Sequence, residues 1–301
     1  MPSFQDATHD GDVTLRYGEL VFRFTAADPS VRFRIPPEYE EFQASPDEAV
    51  TCSVSWSLGR IDVPQEPAGV VMDVWENRRT PDGRDTTIFF RGHDRVPYLS
   101  LVFEPDFVRA SVVQDADVLG YATADVGFYP MAEMMACRLL SRIGAVDLHA
   151  STATFDGRAY VFMGHSGAGK TTMSEIAIAA GAEILSDDRT IVAVRNGTPM
   201  AWGTPWHGSG RHTSSRIAPI EGIFLLVQDD HERVVPMSPQ RAFKELYVRL
   251  IHQKVTEAEV ADSLQTLEDL VTAVPVAELH FRKVPDAFRV ALNAGRGVRN
   301  S

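Results

Sequence analysis

The densest concentration of chemistry in the sequence is Gly164-His165-Ser166-Gly167-Ala168-Gly169-Lys170-Thr171-Thr172. Its first eight residues match G-x-x-x-x-G-K-[ST]. In that pattern the glycines let the backbone curl until successive N–H groups point at phosphate oxygens. The helix that follows adds positive potential, the lysine reaches the β- and γ-phosphates, and the next hydroxyl reaches Mg2+. The spacing predicts ATP and Mg2+ as ligands. Gly164, Ser166, Gly167, Ala168, Gly169, Lys170, Thr171 and Thr172 would surround the phosphates, with Thr171 also a metal ligand.

Asp187 and Asp188 follow, 17 and 18 residues after Lys170, one helix and one strand later. One carboxylate can hold Mg2+, directly or through water; the sequence does not assign which, and Asp188 is carried as the metal candidate. The other can accept a proton from a nucleophilic hydroxyl. Adjacent residues on a strand project to opposite faces, so the two share a role only if the strand has ended. The same pair could instead cap a turn before Arg189.

A third cluster is Gly203-Thr204-Pro205-Trp206-His207-Gly208-Ser209-Gly210-Arg211. Glycine and proline make a fixed loop, and Trp206 can wall a pocket. His207 can bond a phosphate or a metal-bound water. Arg211 and Arg216 can neutralise charge on a transferring phosphoryl group. A structural loop around a buried tryptophan is the competing reading. His207 and His212 stand five apart, with no cysteine or third histidine nearby to complete a zinc site.

The elements that must position these residues are legible in outline. Residues 1–127 read as a β-rich N-terminal domain for substrate or partner recognition. Alternating runs occur at Val13–Tyr17, Leu20–Phe24, Thr51–Trp56, Thr86–Phe90, Tyr98–Phe103 and Val108–Val113, punctuated by Pro, Asp and Gly. From Pro130 the period turns helical through Met131, Met134, Met135, Leu139 and Leu140, and stops at Gly144. His149–Phe155 and Arg158–Met163, joined by Asp156-Gly157, predict a hairpin that enters the glycine loop. Met173–Ala180 reads as the helix leaving it, and Ile184–Ser186, Ile191–Val194 and Ile223–Val227 as strands. Ser238-Pro239 starts a helix to about residue 252. Thr256 and Glu259 form a capping box for a helix to about Val271, and a last helix spans Pro285–Asn293 before a basic tail.

The hairpin, the GHSGAGKTT loop and the ILSDD strand resemble the catalytic domain of bacterial HPr kinase/phosphorylase, whose phosphate-binding core resembles phosphoenolpyruvate carboxykinase. The resemblance implies an α/β fold with a P-loop core of that kind over residues 128–301, the ATP-binding catalytic domain. It also carries over His149, Lys170, Thr171, Asp187 and Asp188 as site residues. Composition and periodicity alone do not select His149. The family's glutamate followed by RGLGI-type residues is absent. In its approximate place stands a segment similar to the GTPWHG motif of HPr-kinase-related proteins, some of which phosphorylate peptide precursors. HPr itself is therefore not the expected acceptor.

Composition bounds the function classes. The chain of 301 residues has a net charge of −12, with 44% apolar and 23% charged residues. That is a globular balance and the wrong sign for nucleic acid or an anionic membrane surface. Two isolated cysteines, a polar acidic N-terminus and the lack of a long apolar stretch predict a cytoplasmic protein. Positive charge comes from 25 arginines and four lysines, and the first lysine is Lys170. The expectation is an ATP- and Mg2+-dependent kinase that phosphorylates a hydroxyl, a serine of a peptide or small protein, with self-association left open. The alternatives are a non-catalytic nucleotide-binding regulator and a small-molecule kinase or carboxykinase-like enzyme.

Overall fold

The computed structural model describes residues 8–251 and 256–298. They form a mixed α/β protein that divides into two compact units, Met1–Ala136 and Cys137–Ser301. The division falls inside the helix Met131–Arg142. No helix among the described residues is long and apolar enough to cross a membrane.

In the first unit every run read from alternation falls on a strand, with Thr51 and Val108 lying just outside theirs. An eight-stranded sheet has the order Val13–Tyr17, Leu20–Ala26, Cys52–Leu58, Arg109–Gln114, Val96–Phe103, Asp85–Arg91, Trp75–Arg79, Glu66–Val71. Cys52–Leu58 pairs in parallel with both neighbours. Its inward residues Cys52, Val54 and Trp56 are buried while Ser53 and Ser55 are exposed, the period of two that made it legible. Trp75–Arg79 has no such pattern. Its Glu76 is buried and accepts from Arg78 Nε at 2.8 Å and Arg95 Nη2 at 2.9 Å, so two guanidinium groups compensate a carboxylate inside the sheet.

The second unit carries the glycine loop. β1 (Ala145–Phe155) and β2 (Arg158–Met163) form the expected hairpin, with Phe155 opposite Arg158. Asp156 and Gly157 both have positive φ, 51° and 71°, as a tight two-residue hairpin turn requires. There follow α1 (Lys170–Ala179), β3 (Glu183–Ser186), β4 (Arg189–Arg195) and β5 (Thr198–Trp202). The unit closes with β6 (Ile217–Gln228), β7 (Arg233–Pro236), α2 (Pro239–Arg249), α3 (Glu257–Ala273), β8 (Val276–Phe281) and α4 (Asp286–Val298).

Two long strands each serve two sheets. The first half of β1, through His149, pairs with β4, and the remainder, from Ala150, pairs with β2. The start of β6 pairs with β5, and its later residues run parallel to β2 and β8. One sheet is therefore β1–β4–β5–β6 and the other β3–β1–β2–β6–β8–β7. Val161 and Met163 of β2 join Ile223, Leu246 and Leu267 in a core on the α2/α3 side. Phe162 joins Phe224, Met173 and Phe288 on the α1/α4 side. A strand buried on both faces reads as one apolar run, as Ala159–Met163 does.

Several boundaries differ from the sequence expectation. α2 ends at Arg249, because Leu250 bridges to Leu148 of β1; residue 252 lies outside the described residues. The capping box of α3 forms, with Thr256 N–H to Glu259 Oε2 at 2.9 Å and Glu259 N–H to Thr256 Oγ1 at 3.2 Å. The last helix runs on through Gly295 to Val298. A Cβ on Gly295 would come within 2.7 Å of Glu221 Cγ, so the glycine permits close helix–sheet contact there. β5, β7 and β8 lack clean alternation and were not expected.

Candidate functional site

His149 is where β1 changes partner, one residue past the Ala150–Met163 pair. That pairing places it beside Gly164, the first residue of the loop. Within the loop, Gly167 and Gly169 have φ of 81° and 108°, values that favour glycine. A Cβ on Gly169 would also lie 2.8 Å from Phe281 Cζ. Gly169 is the N-cap of α1 and supplies no side-chain oxygen to the first-turn N–H groups. Those donors have no intrahelical acceptor, so the helix end suits an anion. Ser166 and Thr171 are exposed, Thr172 is half-buried and Ala168 is buried. Buried Ser174 Oγ lies 2.7 Å from Ser151 Oγ and donates to Lys170 O at 3.1 Å, fastening α1 to β1.

Lys170 is the hub. Its ammonium donates to Gly164 O at 3.1 Å and lies 3.1 Å from His149 Nε2. The other ring nitrogen, Nδ1, lies 2.7 Å from Arg189 Nη1 and 3.3 Å from Asp188 Oδ1. Arg189 Nη1 also bonds Asp188 through its Oδ2, and through its carbonyl at 3.2 Å. Burial pushes the His149 pKa below its ordinary value, and the Lys170 and Arg189 charges add to this against Asp188. Burial and the two flanking cations thus favour the neutral imidazole over the charged one. The Lys170 pKa is lowered in the same way, by burial first and then by Arg189 and Arg249, with Asp188 opposing.

β3 ends at Ser186 and β4 begins at Arg189, so Asp187 and Asp188 lie in the turn between them. The strand has ended, and the opposite-face rule does not separate the two carboxylates. Ser186 Oγ holds the turn by accepting from Asp188 N–H at 3.3 Å and Arg189 N–H at 3.0 Å. Asp187 is buried and its Oδ1 accepts from the Gly208 N–H at 3.0 Å. A Cβ on Gly210 would lie 2.5 Å from Asp187 Oδ2, and one on Gly208 would lie 3.1 Å from Asp188 Cβ. The Gly203–Arg211 segment therefore folds back over the aspartate pair on its glycines. Thr204 Oγ1 to Arg189 O at 2.7 Å ties its first end to β4. Ser186 and Thr213 bridge beyond its other end.

His149, Lys170 and Asp188 are thus joined by direct contacts, and Asp187 lies beside them under Gly208. His207 is turned to its own neighbour, with Nδ1 2.9 Å from Gly208 O. Arg211 is exposed at φ 56°, its N–H bonded to Gly208 O. No hydrogen bond among the described residues joins either side chain to the aspartates. Arg216 pairs with Glu183 on the surface, away from the role of neutralising phosphate. Trp206 is buried. Sequence reasoning missed Arg189, whose place right after two aspartates was the available signal. It also missed the Gly208 N–H and Gly210, whose signal was the G-x-G spacing inside GTPWHGSGR.

Among the described residues no group of three or more His, Cys, Asp or Glu side chains is placed to hold a metal alone. Asp187 and Asp188 offer carboxylate oxygens of the kind Mg2+ takes one or two at a time, with phosphates and water as its other ligands.

No family model matches this chain, and no curated protein matches it. Among solved structures, the HPr(Ser) kinase/phosphatase from Coxiella burnetii is similar over 52% of this chain and 99% of that one, at 12% identity and a TM-score of 0.33. A likeness of that size carries no weight beside the site's own geometry.

Proposed function

We propose that the Cys137–Ser301 unit is an ATP- and Mg2+-dependent kinase that phosphorylates a hydroxyl. The observation that carries the reading is Lys170. It stands on the first residue of a helix leaving a glycine loop, with its ammonium held between Gly164 O and His149, and His149 in contact with Asp188. The N–H groups of Gly167, Gly169, Lys170 and Thr171 and the Lys170 ammonium would hold the β- and γ-phosphates. Thr171 and Asp188 would hold Mg2+. Bound ATP–Mg2+ supplies the phosphoryl group and the charge that neutralises its oxygens.

The two aspartates divide the work by their partners. Asp188 contacts Arg189 through Oδ2 and His149 through Oδ1, and would exchange one of these partners for Mg2+. Asp187 accepts one neutral N–H, from Gly208, and keeps Oδ2 for the proton of an acceptor hydroxyl. His149 orients Lys170, and Arg189 orients both His149 and Asp188. A phosphate-binding core of the HPr kinase type is part of this proposal. So is a serine of a peptide or small protein as the acceptor, which rests on the GTPWHG likeness.

One observation favours a second reading, a nucleotide-binding regulator. Asp187 is only 5% exposed, beneath Gly208 and Gly210. Tight ATP binding without transfer to any hydroxyl would select that reading. The test is incubation of the full chain with ATP, Mg2+ and serine-containing peptides. Transfer is expected with the wild type and is lost in Lys170→Ala and Asp187→Asn. Undiminished transfer in both variants contradicts the kinase assignment.

A further inference from the structure

A concavity adjoins the loop where β6 and the end of α2 meet it. It has a volume of about 580 Å3, and its walls include Leu225 and Val227 of β6, Glu245 and Arg249 of α2, and His165 and Gly167 of the loop. That volume is within the range of about 300–1,000 Å3 in which small-molecule sites fall. Leu225 and Val227 follow Ile223 at a period of two, so they share the α2 face of the sheet and give the cavity an apolar floor. Polar groups flank it. Gln228 Nε2 donates to Gly167 O at 2.8 Å, making the end of β6 and the glycine loop one body. Arg249 Nη1 bonds the Glu245 carboxylate at 2.6 Å and the Glu245 carbonyl at 2.8 Å.

Strand order decides what such a cavity would receive. The sheet runs β3–β1–β2–β6–β8. The loop leaves β2 and the aspartates follow β3, so they lie on the β1 side of the loop. The cavity's apolar floor lies on the β6 side, and its Arg249 wall reaches back toward Leu148 of β1 through the Leu148–Leu250 bridge. In-line phosphoryl transfer puts the attacking and leaving oxygens at opposite ends of the transferred group. With the acceptor hydroxyl at Asp187, the leaving group departs toward β6.

We propose that this cavity holds the nucleoside part of the nucleoside triphosphate, its base against Leu225 and Val227 and its hydroxyl or amino hydrogens toward the Glu245 carboxylate. The assignment rests on the phosphate-loop reading above and adds the side on which the nucleotide lies. An acceptor side chain is the competing occupant.

The test fills the cavity from its floor. Full-length wild type and Val227→Trp are titrated with Mg2+–ADP and, separately, with Mg2+–tripolyphosphate, which has the phosphates without the nucleoside. Val227→Phe is the milder filling variant, for use if tryptophan lowers the unfolding midpoint. The expected result is ADP binding weakened by about tenfold or more, with tripolyphosphate binding unchanged within about twofold. Equal loss of both ligands overturns the proposal, since the added ring would then be acting on the phosphate loop. Unchanged ADP binding also overturns it, and a raised KM for peptide in that case gives the cavity to the acceptor. A wild type that binds neither probe removes the phosphate-loop reading itself.

Discussion

Gly210→Ala probes the contact that covers the aspartates. A Cβ built on Gly210 lies 2.5 Å from Asp187 Oδ2 and 3.1 Å from His212 Cδ2. The first contact is closer than folded proteins tolerate, and Asp187 is buried with little room to retreat. The segment must move off the carboxylate, and the 3.0 Å bond from Gly208 N–H to Asp187 Oδ1 goes with it. A hydrogen bond to a charged group contributes about 1.5–3 kcal/mol. The Gly208 amide should therefore exchange with solvent about 10- to 150-fold faster in the variant, local opening being the route of exchange. Native-state hydrogen exchange, read on the peptide containing Gly208, measures this directly. On an Asp187→Ala background, which has no Oδ2 to strike, the same substitution should change exchange by less than about twofold. Gly11→Ala, where a Cβ meets nothing within 4 Å, is the control. Unchanged protection at Gly208 in Gly210→Ala, or equal acceleration on both backgrounds, refutes the placement of this segment on Asp187.

Other predictions follow from the charge network and the buried groups. Arg189→Met removes a cation 2.7 Å from His149 Nδ1 and releases Asp188 to act on the ring, so the His149 pKa should rise; NMR titration of the imidazole reads the shift, and a fall contradicts the network. In the wild type that pKa lies below the ordinary 6.5, so the neutral ring's contribution to stability is present above 6.5 and is lost as pH falls toward the folded-state pKa. His149→Gln should flatten this part of the pH–stability curve. Arg138→Met removes the guanidinium that lies 3.0 Å from buried Glu259, both side chains being under 5% exposed, and should cost about 3–5 kcal/mol in denaturant unfolding. Burial pushes the Cys52 thiol up to about 12, and Cys137 is also buried. Native protein should thus react with a thiol reagent only on unfolding, and rapid labelling of either cysteine contradicts the packing.

What the sequence made legible follows the range of the interactions involved. The Asp156-Gly157 hairpin, the Thr256/Glu259 capping box and the glycine loop are set within a few residues, and each was visible. The alternation of Cys52–Trp56 was equally plain, because one face of that strand is wet and the other dry. Trp75–Arg79 was not, since its buried glutamate depends on Arg95, 19 residues away, as well as on Arg78. β8 was missed for a related reason: its pairing with β6 and β7 is nonlocal, and its histidine and glutamate broke the apolar run. At the site, the loop and the acidic pair were identifiable from type and spacing. That Gly208 and Gly210 press on those acids depends on a chain reversal more than 20 residues later, and so did the engagement of Arg216 by Glu183. His149 was reached only through a family likeness. Its position where β1 exchanges β4 for β2 is a property of the sheet, with no local mark in the sequence.

In the proposed function the Gly164–Thr171 loop holds nucleotide phosphates with Lys170 as their cation. Calorimetric titration of the full chain with Mg2+–ATP, beside Lys170→Ala, tests it most directly. Removing a charge-assisted contact worth about 1.5–3 kcal/mol should weaken binding by about 10- to 150-fold, with the unfolding midpoint of the variant near that of the wild type. Equal affinity in the two proteins, or no binding in the wild type, contradicts a phosphate-holding role for Lys170 and its loop.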